Sequence, residues 1–80
     1  MDNRGYSQRI ADTNRSAADS LGVRLGRYCI SRDIPAIEIA GYFGVSKMTI
    51  YKWFTGKAEP RKIHAEKIST LLSNGGWVEQ

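Results

Sequence analysis

From Ser20 onward, apolar residues recur along this chain at helical spacing. Leu21, Leu25, Tyr28 and Cys29 lie three and four residues apart, with Val23 and Ile30 at the edges of the stripe, so one buried face is predicted for a helix over 20–32. Ser20 precedes it with a hydroxyl able to accept a bond from the first turn. Ser31-Arg32-Asp33-Ile34-Pro35 ends it, because the residue before a proline avoids helical dihedrals. Pro35 suits the start of the next helix, where a missing N–H is no loss. Beyond it, Ile39, Phe43, Val45, Ile50 and Trp53 share an inward face if the chain runs helix, tight turn, helix. Ala40 is small enough for the crossing of the two helices, and Gly44 supplies the positive φ of the turn. Ser46 then caps a helix over 47–54, whose inward residues are Ile50, Trp53 and Phe54. Thr55-Gly56 is a left-handed stop and Lys57-Ala58-Glu59-Pro60 a connecting loop. A last helix from about Arg61 to Ser73 buries Ile63, Ile68, Leu71 and Leu72, and Asn74-Gly75-Gly76 ends it.

The ends of the chain lack this periodicity. Residues 1–19 are rich in Asn, Ser, Asp and Arg around few apolar side chains, and read as a flexible polar arm. Arg4, Arg9 and Arg15 have the chemistry of a basic arm that follows phosphates, but Asp2, Asp12 and Asp19 cancel their charge and favour a solvated tail. The tail 75–80 carries Trp77, which either folds back on the core or lies in a dimer contact. The expected organisation is an arm over 1–19, one helical domain over 20–74 and a short tail. Eighty residues leave room for a single small core. The predicted fold is all-α, a compact domain of four to five helices.

Charge sharpens the picture. The net formal charge is +4. Three arginines balance three aspartates over 1–19, whereas residues 47–80 hold six basic side chains against three acidic ones. The excess therefore lies in and after the helix at 47–54. Basic residues alone mean no more than a solvated face. On the outer side of a helix that follows a tight turn, they suit insertion into a DNA groove.

With these residues placed, the segment Ala36-Ile37-Glu38-Ile39-Ala40-Gly41-Tyr42-Phe43-Gly44-Val45-Ser46, running on to Trp53-Phe54-Thr55-Gly56-Lys57-Ala58-Glu59-Pro60, resembles the helix-turn-helix of the lambda-repressor-like or Cro-type family of phage and bacterial regulators. The resemblance spans residues 21–72. It implies that Lys47, Met48 and Lys52 point into the major groove with Tyr51 close by. It also implies phosphate contacts from Thr49, Thr55, Lys57 and Arg61, to which Ser46 is added at the start of the helix. Lysine could donate to guanine O6 or N7 or only neutralise phosphate, and Met48 would offer apolar contact to a thymine methyl. Tyr51 could read a base by laying its ring against the base edge or contact a phosphate with its hydroxyl, and its bland reading is packing across the helix surface. The chain departs from the family in placing Ala36, after Pro35, where many members carry a polar residue such as Gln. Gly41, inside a helix, costs about 1 kcal/mol relative to alanine.

Other chemistry finds little footing. Cys29 is the only cysteine and reads as a small core residue, which excludes an internal disulfide. His64 is the sole histidine; without companions it reads as solvent- or phosphate-facing rather than as a zinc ligand. No acid pair or nucleophile with a base is evident, so neither an enzyme, a metal nor a cofactor is expected. No apolar run reaches the roughly 20 residues that span a bilayer, and the polar start lacks a signal-peptide core, so a cytoplasmic location is expected. The implied function is a sequence-specific double-stranded DNA-binding regulator, a Cro-like repressor of phage or mobile-element type. It would act as a homodimer, since one reading helix covers few base pairs. Two alternatives stand beside it. One is an antitoxin or the DNA-recognition subunit of a packaging or recombination complex; the other is a protein-interaction adaptor that binds no DNA.

Overall fold

The computed structural model describes residues 6–74. Five helices follow one another: α1 (Gln8–Ser16), α2 (Leu21–Ser31), α3 (Ala36–Phe43), α4 (Lys47–Phe54) and α5 (Lys62–Ser73). Their core is a continuous apolar cluster in which Leu25, Cys29, Ile39, Ile50, Phe54 and Ile68 are fully buried. The all-helical architecture and the positions of α2 to α5 follow the hydrophobic periodicity. Among the described residues, no helix is long and apolar enough to cross a membrane.

The segment expected to belong to a flexible arm is instead folded from Tyr6. Ser7 caps α1 by accepting from the Ile10 N–H at 3.1 Å. The helix has little apolar surface of its own, only Ile10 and Ala11. Its anchor is polar: Asn14 is buried and its side-chain Nδ2 donates to the carbonyls of Val23 at 3.1 Å and Phe54 at 2.6 Å. At the other end of the contact, Arg27 Nη2 donates to the carbonyls of Asn14, Arg15 and Ala17, satisfying the free end of α1. Residues 1–5 and the tail with Trp77 lie outside the described residues.

Close packing of α2 on α4 depends on two glycines one turn apart. A Cβ on Gly22 would stand 2.8 Å from the Trp53 carbonyl oxygen, and one on Gly26 would stand 2.6 Å from Asn14 Nδ2 and 2.8 Å from Phe54 Cγ. Together they form a notch that receives the C-terminal turn of α4. Val23, expected at the edge of its stripe, is fully buried instead. The backbone at Gly56 passes over it: a Cβ there would lie 3.5 Å from Val23 and 3.6 Å from Ala17.

One core expectation fails on α5. Ile63 is 65% exposed, not buried. The inward positions of α5 are His64, Ile68 and Leu71, spaced four and three residues apart, and Ile63 lies one residue off that line.

Candidate nucleic-acid interface

Local chemistry sets the angle between α3 and α4. Gly44 has φ 71°, and the Val45 N–H returns to the Ala40 carbonyl at 3.0 Å, closing α3 with a left-handed turn. Ala40 is buried at the crossing. Two residues after Gly44, Ser46 Oγ accepts from the Thr49 N–H at 3.1 Å and starts α4. Gly41 stands in the open, with nothing within 4 Å of where a Cβ would be, so no neighbouring helix in the fold requires it.

The C-terminal end of α4 is equally well tied. Its last carbonyls are those of Tyr51, Lys52, Trp53 and Phe54. They accept, in turn, from the Thr55 N–H, the Lys57 N–H, the Gly56 N–H and the Asn14 amide. Gly56, at φ 78°, makes that return possible. The loop therefore folds back on the helix and carries Lys57 beside the turn that holds Lys52.

Ile50, Trp53 and Phe54 point inward, and the helical repeat then turns Met48 and Lys52 to the opposite side. Lys47 and Lys52 are exposed, and Met48 is 64% exposed. An apolar side chain of that size in water is notable only because it stands between two lysines. Ion pairs among the described residues gather elsewhere, on Arg15, Arg24 and Arg27 with Asp12 and Asp19. There the Arg24 side chain holds the Asp19 carboxyl below its usual range, chiefly by hydrogen bonding. Lys47, Lys52, Lys57 and Arg61 take no part in those pairs, and all four are exposed.

The remaining candidates differ in what they have left to offer. Ser46 and Thr49 share a hydroxyl–hydroxyl contact of 3.1 Å, which leaves one of the two protons for an outside acceptor. The hydroxyl of Thr55 donates to the Tyr51 carbonyl at 2.7 Å, so a phosphate would have to displace that bond. Tyr51 is half-buried on the flank of α4, edge-on to Tyr6 with ring centroids 6.4 Å apart. Ala36, which stands where the resemblance leads one to expect a polar residue, is buried at the start of α3 and contributes to the core.

His64 does not face solvent or phosphate as expected. Its ring stands 5.4 Å from Trp53 and 5.9 Å from Phe43, and its Nδ1 is buried without a hydrogen-bond partner. Sequence reading missed it because a histidine carries no periodicity signal. Its spacing of four from Ile68 was the available clue. Comparison with family models, curated proteins and solved structures finds no match.

Proposed function

We propose that the protein binds double-stranded DNA sequence-specifically as a Cro-like repressor, inserting α4 into the major groove. The observation that carries this reading is the outer face of α4. Two exposed lysines outside the ion pairs flank an exposed methionine on a short helix tied at both ends. A rigid helix fixes the donor positions, which base-edge recognition demands. Lys47 and Lys52 are the base-reading or phosphate-neutralising cations, Met48 the contact for a thymine methyl, and Tyr51 a ring laid against a base edge. Lys57, Arg61 and the Ser46–Thr49 hydroxyl pair meet phosphates, which position the domain without reading sequence. Thr55 joins them only by giving up its bond to the Tyr51 carbonyl. Specificity from so small a face calls for two copies on half-sites about one helical turn apart.

Titration of a labelled duplex pool at increasing salt tests this. The wild type should bind with an affinity that falls steeply as salt rises, because neutralised phosphates release counterions. Lys47→Ala with Lys52→Ala should lose binding while circular dichroism shows an unchanged helical fold. Unchanged binding by the double variant would remove α4 from the interface, and absence of binding by the wild type would favour the adaptor role.

A further inference from the structure

Tyr6 is a buried aromatic residue immediately ahead of the α1 cap, and it touches both the loop that leads into α3 and the C-terminal half of α4. Its hydroxyl donates to the Ile34 carbonyl at 2.5 Å, in the loop that enters α3. Its ring lies against Phe54 at 5.9 Å with a 33° tilt, and stands edge-on to Tyr51 at 6.4 Å and 78°. Phe54 and Tyr51 are three residues apart, so Tyr6 lines one flank of α4 beside its outer face.

We infer that Tyr6 is a positioning residue for Tyr51: it holds the Tyr51 ring in one arrangement at the DNA-reading face before DNA arrives. The inference rests on the DNA-binding reading of α4. Tyr6 is itself over-determined, since a buried hydroxyl left without a partner is costly and Ile34 supplies the acceptor. Its ring, packed on the core residue Phe54, cannot swing away without exposing that core. An edge-to-face partner fixed in this way limits the positions open to Tyr51. Side chains immobilised before binding need not be immobilised during it, which favours affinity and sharpens the choice of base. Tyr6, ahead of α1, therefore takes part in recognition through the protein. A substitution that removes the Tyr6 ring alters base preference at the position that Tyr51 meets.

Selection of sites from a randomised duplex library by the wild type, Tyr6→Leu, Tyr51→Leu and the double variant tests the coupling. Tyr6→Leu and Tyr51→Leu should relax preference at the same base positions. The double variant should be no worse than Tyr51→Leu alone. Affinity for the wild-type site should drop about three- to tenfold in Tyr6→Leu, the value of one ordered side chain. Tyr6→Phe, which keeps the ring, should retain the wild-type preference. Thermal melts establish that each variant is folded at the temperature of selection. If Tyr6→Leu is not folded, Tyr6→Met fills the space without a ring edge and replaces it. A uniform loss of affinity with unchanged preference, or independent effects of the two positions, overturns the positioning role and leaves DNA binding intact. A wild type that enriches no site overturns the DNA-binding reading and the inference with it.

Discussion

The side-chain amide of Asn14 donates to the carbonyl of Phe54, 40 residues further along the chain, at 2.6 Å. That carbonyl belongs to the last turn of α4, where no helical N–H remains to reach it. Removing the amide leaves a buried acceptor unpaired and also releases the Val23 contact. Asn14→Ala should therefore destabilise the fold by about 2 kcal/mol, within the range for an orphaned buried polar group. Urea unfolding monitored by far-ultraviolet circular dichroism reads this directly. A loss below about 0.5 kcal/mol, the size of an ordinary surface substitution, would show that α1 is only loosely attached.

Two helical glycines should respond in opposite directions to the same substitution. Alanine at either gains up to about 1 kcal/mol of helix propensity. At Gly41 nothing within 4 Å opposes the new methyl, so Gly41→Ala should raise stability by roughly that amount. At Gly26 the methyl would meet Asn14 Nδ2 at 2.6 Å and Phe54 at 2.8 Å, and overpacking typically costs about 1–3 kcal/mol. Gly26→Ala should thus be destabilising on balance. Paired thermal melts of the two variants decide the matter, and equal shifts would contradict the close approach of α2 to α4.

The start of α4 gives a third expectation. Ser46 accepts the Thr49 N–H, and Ser46→Ala should cost about 1 kcal/mol in unfolding free energy. Ser46→Asp should retain most of that stability, because a carboxylate caps as well and suits the positive end of the helix dipole. It should nevertheless weaken DNA binding, since the added negative charge would face phosphate. Chemical denaturation and duplex titration of both variants separate the two effects.

Alkaline pH should destabilise the protein through groups that stay protonated when folded. Burial, aided by the negative charge of Glu38, pushes the Cys29 thiol up to about 12 from its ordinary value near 9. Burial likewise raises the Tyr6 phenol above its usual range, with Cys29, Tyr51 and Asp33 adding to it. Both groups have a folded pKa above the unfolded one. The unfolded chain therefore releases these protons first, and stability falls as pH rises past about 9. At about pH 10.5 the Cys29 contribution amounts to about 2 kcal/mol. The denaturation midpoint of the wild type should fall between pH 8 and 10.5, and Cys29→Ala should show a shallower fall. Parallel profiles would mean that the thiol is accessible in the folded state.

The portion of the fold legible in the sequence was the portion built from local signals. Gly44 in a left-handed turn, Ser46 as a cap and Gly56 as a stop act within a few residues, so α3 and α4 could be placed closely. Apolar spacing placed α2 and most of α5. What stayed hidden is held by tertiary contacts. The buried anchor of helix α1 is Asn14, whose acceptors lie on α2 and α4, and a polar segment with a buried asparagine looks like a tail. The capping hydroxyl of Ser7, three residues ahead of Ile10, was the local signal for it. The same limit applies at the site. Exposure of Lys47, Met48 and Lys52 followed from the inward placement of Ile50, Trp53 and Phe54, whereas the Tyr6–Tyr51 contact joins residues 45 positions apart and carries no periodic signature.

Selection of binding sites from a randomised duplex library by the purified wild type at near-physiological salt tests sequence-specific DNA binding most directly. Enrichment of a palindromic sequence with half-sites about one helical turn apart is expected, with Lys47→Ala and Lys52→Ala each weakening the preference within a half-site. Recovery of no preferred sequence would contradict sequence-specific binding.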